Sequence, residues 1–109
     1  MKILIVDDEE VQRNMLQGFL EKQGFETLTA SGGKQALAIF ETNPVQLVLM
    51  DHRMDDMNGD EVLERMKAMS PLVKAIMITA HGSVNTAVRV MKLGINDFLE
   101  KPLDRKSVV

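Results

Sequence analysis

Ile3-Leu4-Ile5-Val6-Asp7-Asp8 opens the chain with four branched apolar residues closed by two carboxylates, and the pattern returns at Gln46-Leu47-Val48-Leu49-Met50-Asp51. An apolar run this short, without polar alternation, reads as a strand buried on both faces, as in a parallel sheet covered by helices above and below. Three further runs are rich in β-branched or aromatic residues, so strands are expected over 3–6, 26–30, 46–50, 75–79 and 97–100. Asp7, Asp8 and Asp51 follow such runs directly, Thr79 ends one and Lys101 follows another.

Helix-length segments separate the runs. The first, over 10–22, places Val11, Met15, Leu16, Phe19 and Leu20 on one expected face and stops at Gly24, a left-handed cap. The second, over 34–42, buries Leu37 and Phe40 and ends before Pro44, which disfavours helical geometry at Asn43. The third, over 59–69, turns Val62, Leu63, Met66 and Met69 inward and is closed by Ser70-Pro71. The fourth, over 84–93, carries Val84, Ala87, Val88 and Met91 at helical spacing and ends at Gly94, with Val90 and Leu93 off that stripe, either as an exposed interaction patch or partly buried against a neighbouring element. Strict alternation of strand and helix predicts a doubly wound, five-stranded parallel sheet of flavodoxin-like order 2-1-3-4-5.

Composition narrows the function classes. At 109 residues with 45% apolar content, the chain makes one core and one domain, 1–109. A net charge of -3 with scattered Lys and Arg argues against direct nucleic-acid binding by this domain. Without cysteine there are no disulfides or thiolate metal sites, which fits a cytoplasmic protein. The opening apolar run is too short for a signal peptide or a membrane span.

In a parallel sheet the carboxyl ends of the strands lie on one edge, where ligands bind. Asp7, Asp8, Asp51, Thr79 and Lys101 therefore converge on one pocket. Three carboxylates held together repel unless a cation or proton intervenes. An oxygen-rich, sulfur-free set favours Mg2+ with a phosphate oxygen as a further ligand. Neither G-x-x-x-x-G-K-[ST] nor G-x-G-x-x-G is present, so the phosphate arrives attached to something other than a cradled nucleotide. Asp51, central in the set, is the expected nucleophile for a phosphoryl group, giving an acyl phosphate. Asp8 binds the metal, Asp7 shares it or orients its water, Lys101 places a point charge on the phosphoryl oxygens and Thr79 donates a hydrogen bond. His52 and His81 lack partners at ligand spacing and read as loop residues.

At these residues the chain resembles the receiver domain of two-component response regulators over nearly its whole length. The acidic pair matches Asp7-Asp8, and the phosphoacceptor loop matches Asp51-His52-Arg53-Met54-Asp55-Asp56-Met57-Asn58-Gly59. The Thr-Ala and Lys-Pro pairs match Thr79-Ala80 and Lys101-Pro102. The resemblance implies that Asp51 accepts a phosphoryl group from a sensor histidine kinase, that the Arg53 backbone carbonyl completes the metal site, and that Phe98 is an aromatic switch answering Thr79. It further implies an attached or separate output domain. Thr79-Ala80-His81-Gly82 and 96–102 look most like receivers of enhancer-binding transcriptional activators.

Two features depart from that pattern. Asp55 stands where the family usually has proline, and Asp56 follows it, so the loop loses a fixed φ and gains charge beside an anionic phosphoryl group. After Lys101-Pro102 only residues 103–109 remain, about two turns of the expected fifth helix, which is therefore cut short. Apolar surface left open by that truncation predicts that the isolated chain self-associates, for instance as a homodimer, or is destabilised. Two rival readings remain: a Mg2+-dependent phosphohydrolase, against which stand a missing Asp-x-Asp pair and cap domain, and a phosphorylation-independent interaction module.

Overall fold

The apolar runs become strands. In the computed structural model, which describes residues 2–79 and 97–100 and side chains over 2–78, β1 spans Lys2–Val6, β2 Glu26–Ala30, β3 Leu47–Asp51, β4 Lys74–Thr79 and β5 Asp97–Glu100. Between them lie α1, Glu10–Lys22, α2, Gly33–Thr42, and α3, Gly59–Met69. Every ladder is parallel and the order is β2-β1-β3-β4-β5, as the alternation predicted. The expected fourth helix over 84–93, its Val90 and Leu93, and residues 103–109 lie outside the described residues.

Both faces of the sheet are covered, which explains why its central strands lack polar alternation. Leu4, Val6, Val48, Met50, Ala75 and Met77 point to one side, against Ala36 and Phe40 of α2 and Val62, Leu63 and Met66 of α3. Ile3, Ile5, Leu49 and Ile78 point to the other, where Leu16 of α1 meets them. Successive side chains of a strand face opposite ways, so each central strand feeds both cores. Each fully buried Leu, Ile, Val or Met contributes roughly 1.5–3 kcal/mol by removal from water.

The register aligns the strand ends. Val6 pairs with Ala30 and with Met50, Asp51 with Ile78, and Thr79 with Glu100. The residues just past β1 and β3 therefore emerge side by side at one edge. Each helix stops for a local reason: Gly24, after α1, has φ +91°, Asn43 is extended ahead of Pro44, and the Ser70 N–H closes α3 on the Met66 carbonyl at 2.8 Å.

Several expectations are corrected in detail. β3 runs to Asp51, so this residue is the last of the strand rather than the first beyond it, and α2 begins at Gly33. On α1, Leu16 is buried and Leu20 half-buried, but Val11, Met15 and Phe19 are 84%, 46% and 44% exposed. Met15 and Phe19 each sit one position before a sheet-facing residue, about 100° round the helix, and that rotation takes them off the contact. Met69, expected inward, is 47% exposed at the last position of α3. Among the described residues, no helix is long and apolar enough to cross a membrane.

Candidate functional site

β1 delivers Asp7 and Asp8 to the sheet edge, and the backbone fixes how they leave it. The Asp7 N–H donates to the Ala30 carbonyl at 3.1 Å, extending the ladder one residue past the strand. The Asp7 Oδ1 then accepts from the Glu9 N–H at 2.9 Å, turning the chain into α1. Arg13, one turn into that helix, donates from Nη1 to the Asp7 carbonyl at 2.8 Å and anchors the helix to the strand end. Asp7 is 1% exposed and Asp51 5%, so two carboxylates are buried at the tips of adjacent central strands.

The chain after Asp51 is held equally closely. The His52 N–H donates to the Ile78 carbonyl at 2.8 Å, the Gly59 N–H returns to the His52 carbonyl at 2.7 Å, and Arg53 bridges to Asn58, closing the segment into a loop. The Arg53 N–H donates to the Asp51 Oδ1 at 3.2 Å, fixing the rotation of that carboxylate. His52 faces Asp60, its Nε2 3.8 Å from the Asp60 Oδ1.

One carboxylate oxygen from each of Asp7, Asp8, Glu9 and Asp51 lies within 4.8 Å of the others. The electrostatic consequence is visible at Asp8, whose carboxyl is pushed above the ordinary range first by burial, then by the charges of Asp51 and Asp55. The group offers oxygen donors only, the set preferred by hard divalent cations. A cation there would relieve the repulsion that Asp8 registers.

Of the residues singled out from the sequence, Asp7, Asp8 and Asp51 are brought together, and Arg53 adjoins them through its backbone. Thr79 closes β4 next to the end of β3, and Phe98 lies in β5 in register with Met77, both described as backbone. Lys101 and His81 lie outside the described residues. Sequence reading missed Glu9, which joins the cluster, Arg13, and Asp56, which reaches α2 with both carboxylate oxygens. Glu9 had a signal in the unbroken acidic run from Asp7 through Glu10; Arg13 and Asp56 bind backbone groups, and no side-chain pattern announces those.

A family model described as the response regulator receiver domain matches residues 3–109. A putative response regulator, NtrX-like, from Rickettsia bellii is 38% identical over 109 residues, covering 98% of this chain and 23% of that protein. The transcriptional regulatory protein ZraR of Escherichia coli is 40% identical over 102 residues, covering 94% of this chain and 23% of ZraR. The chain thus spans about a quarter of the length of these relatives. Among solved structures, the chemotaxis protein CheY4 of Vibrio cholerae superposes with a TM-score of 0.93 at 27% identity, covering 98% of this chain and 91% of that one. With a matching sheet order, an acidic group at its carboxyl edge and a family match over nearly every residue, this chain belongs to the receiver domain family of two-component response regulators.

Proposed function

We propose that this receiver domain is a phosphoacceptor switch, in which the Asp51 carboxylate takes a phosphoryl group from the phosphohistidine of a sensor histidine kinase. The observation that carries this reading is the buried Asp51 carboxylate at the tip of a central strand, with oxygens of Asp7, Asp8 and Glu9 within 4.8 Å. An Asp51 oxygen attacks phosphorus in line, the phosphorus–nitrogen bond breaks, and its electron pair leaves with the imidazole. The Arg53 N–H holds the attacking carboxylate in one rotation, so less orientational freedom is lost in reaching the transition state.

Mg2+ fits this site on the chemistry of its donors: they are oxygens only, and the charged form of Asp8 is disfavoured until a cation offsets its neighbours. Asp7, Asp8 and Asp51, with the Arg53 backbone carbonyl, would hold it. When bound, the ion supplies charge neutralisation between the carboxylate and the phosphoryl oxygens. Lys101 adds a point charge to the phosphoryl group and Thr79 a hydroxyl donor, while Phe98 responds to Thr79 as the switch. The response is a population shift between two packings, biased by the new phosphoryl contacts.

Residues 1–109 act in this reading as one receiver domain. It takes phosphoryl groups from donors and loses them to water, and turns over no separate substrate. Its setting is the cytoplasm, its target an attached or separate output domain of the transcription-regulating kind, with homodimerisation as one means of output. The likeness to ZraR, a transcriptional regulatory protein, supports that assignment.

The test is Mg2+-dependent incorporation of phosphate from acetyl phosphate into the native chain and into Asp51→Asn. The native chain is expected to label and the variant to remain unlabelled. Equal labelling of the two would sink the assignment of Asp51.

A further inference from the structure

Asp55, at the usual proline position of the phosphoacceptor loop, and Asp56, which follows it, do different things. Asp55 is exposed. Asp56 turns to the start of α2. Its Oδ1 accepts from the Gly33 N–H and its Oδ2 from the Lys34 N–H, each at 2.9 Å. The first residue of α2 and the one before it are glycines, and the N-cap, Gly32, makes no side-chain cap of its own. The helix therefore takes its cap from a loop more than 20 residues away, which supplies both oxygens to two N–H groups of the first turn.

Helix and loop approach closely at those glycines. A Cβ on Gly32 would lie 2.9 Å from the Asp56 Oδ1, and one on Gly33 would lie 2.7 Å from Val62 and 2.8 Å from the Cβ of Met57. The near side of the loop is tied to β3 and β4 through His52, Arg53 and Gly59, and Met54 is buried in the core. The far side, at Asp55 and Asp56, is exposed, and its hydrogen-bonded tie is Asp56. The backbone N–H groups of Lys34 and Gly33 hold the Asp56 carboxyl below the ordinary range, keeping it anionic at neutral pH.

We infer that Asp56 is a positioning residue for the phosphoacceptor site: by capping α2 it pins the far side of the loop whose near side carries the backbone of Arg53 beside Asp51. Released at Asp56, the loop would keep only its near-side ties, and the Arg53 carbonyl would be held less firmly in one direction. The latch does the work of the absent proline by cross-linking the loop to a helix rather than by fixing a φ angle. The inference rests on reading the cluster as a cation and phosphoryl site.

The experiment uses the full 109-residue chain, 15N-labelled, as the native sequence, D56N, D56A and the control D55A. Three quantities are read: amide hydrogen exchange at Gly33 and Lys34, the Kd for Mg2+ from amide shifts, and the decay of label from acetyl phosphate. D56A is expected to speed exchange at both amides and to raise the Mg2+ Kd about fivefold, the scale of a lost helix cap. D56N loses the charge and one of the two accepting oxygens but keeps the other for one N–H group, and is expected to raise the Kd by less than D56A does. In D55A the exchange at Gly33 and Lys34 should be unchanged. An unaltered Kd in D56A would reduce Asp56 to a helix cap, and identical Kd values for D56N and D56A would assign the effect to lost charge; either overturns the inference. If the native chain binds no Mg2+ and takes no label, the site reading itself fails. The latch is then judged on the amide shifts of residues 52–55 in D56A, where movement supports it and no movement overturns it.

Discussion

A Cβ placed on Gly59 would lie 2.7 Å from the backbone carbonyl oxygen of Asp51, so the first turn of α3 rests directly on the end of β3. The same Cβ would meet the Met77 sulfur at 2.9 Å and the His52 Cα at 3.0 Å. Two of these three neighbours are backbone and cannot rotate away. Gly59→Ala is expected to destabilise the domain by about 1–3 kcal/mol, the scale of overpacking in a dense core. Gly18→Ala, inside α1 with nothing within 4 Å of its added Cβ, should instead stabilise by roughly 0.5–1 kcal/mol. Urea unfolding of both variants checks this, and a loss of stability in Gly18→Ala as large as that in Gly59→Ala would refute the contact.

Asp8 sets a second expectation, with a defined sign. Its carboxyl is raised by burial, Asp51 and Asp55, so the folded state holds a proton there more tightly than the unfolded chain does. That contribution is fully present below the unfolded pKa and is lost as pH rises through the raised folded value. Without a divalent cation, Asp8→Asn should therefore exceed the native chain in stability at neutral pH, by up to about 1 kcal/mol at low salt. The gap should close as pH falls and Asp8 takes up its proton. Added Mg2+ should stabilise the native chain more than the variant. Thermal melts across pH with and without Mg2+ provide the measurement.

Asp56 carries the opposite sign. Its carboxyl is lowered by the N–H groups of Lys34 and Gly33, so its contribution is present above the unfolded pKa and is lost as pH falls through the lowered folded value. The native chain should be more stable than Asp56→Asn at neutral pH, with the difference vanishing in the acid range below the ordinary aspartate pKa of about 3.9. A difference that persists undiminished at the lowest pH would mean that the carboxylate charge plays no part in the cap.

The two sides of α1 supply a packing test. Leu16 is 5% exposed against Ile3 and Ile5, whereas Val11 on the same helix is 84% exposed. Leu16→Ala should cost about 2–5 kcal/mol as a buried truncation. Val11→Ala should fall within about 0.5 kcal/mol of the native chain, as surface changes do. Comparable losses at the two positions would show the helix rotated from the orientation described.

Most of the architecture could be read from local chemistry. Ile3 through Val6 and Leu47 through Met50 are apolar without alternation, because both faces of a central parallel strand are covered. Gly24, Pro44 and Pro71 punctuate the helices for reasons internal to a few residues of backbone. Strand order followed from these elements through the right-handed crossover rule. Once the strands were parallel, Asp7, Asp8 and Asp51 had to share an edge, and the observed register brings them there.

Tertiary structure decided what depends on relative placement. Whether Met15 and Phe19 or Leu16 and Leu20 face the sheet is a rotation of about 100°, chosen by how α1 seats on β1 and β2. An apolar pattern wide enough to allow either seating does not settle it. Glu9 joins the acidic group because the turn after Asp7 brings it round, and Arg13 and Asp56 act on a carbonyl and on amide groups common to every residue. Asp55 and Asp56 look alike in sequence, two adjacent carboxylates in one loop. Only the approach of α2 separates them, drawing Asp56 onto two N–H groups and leaving Asp55 in the field of Asp8.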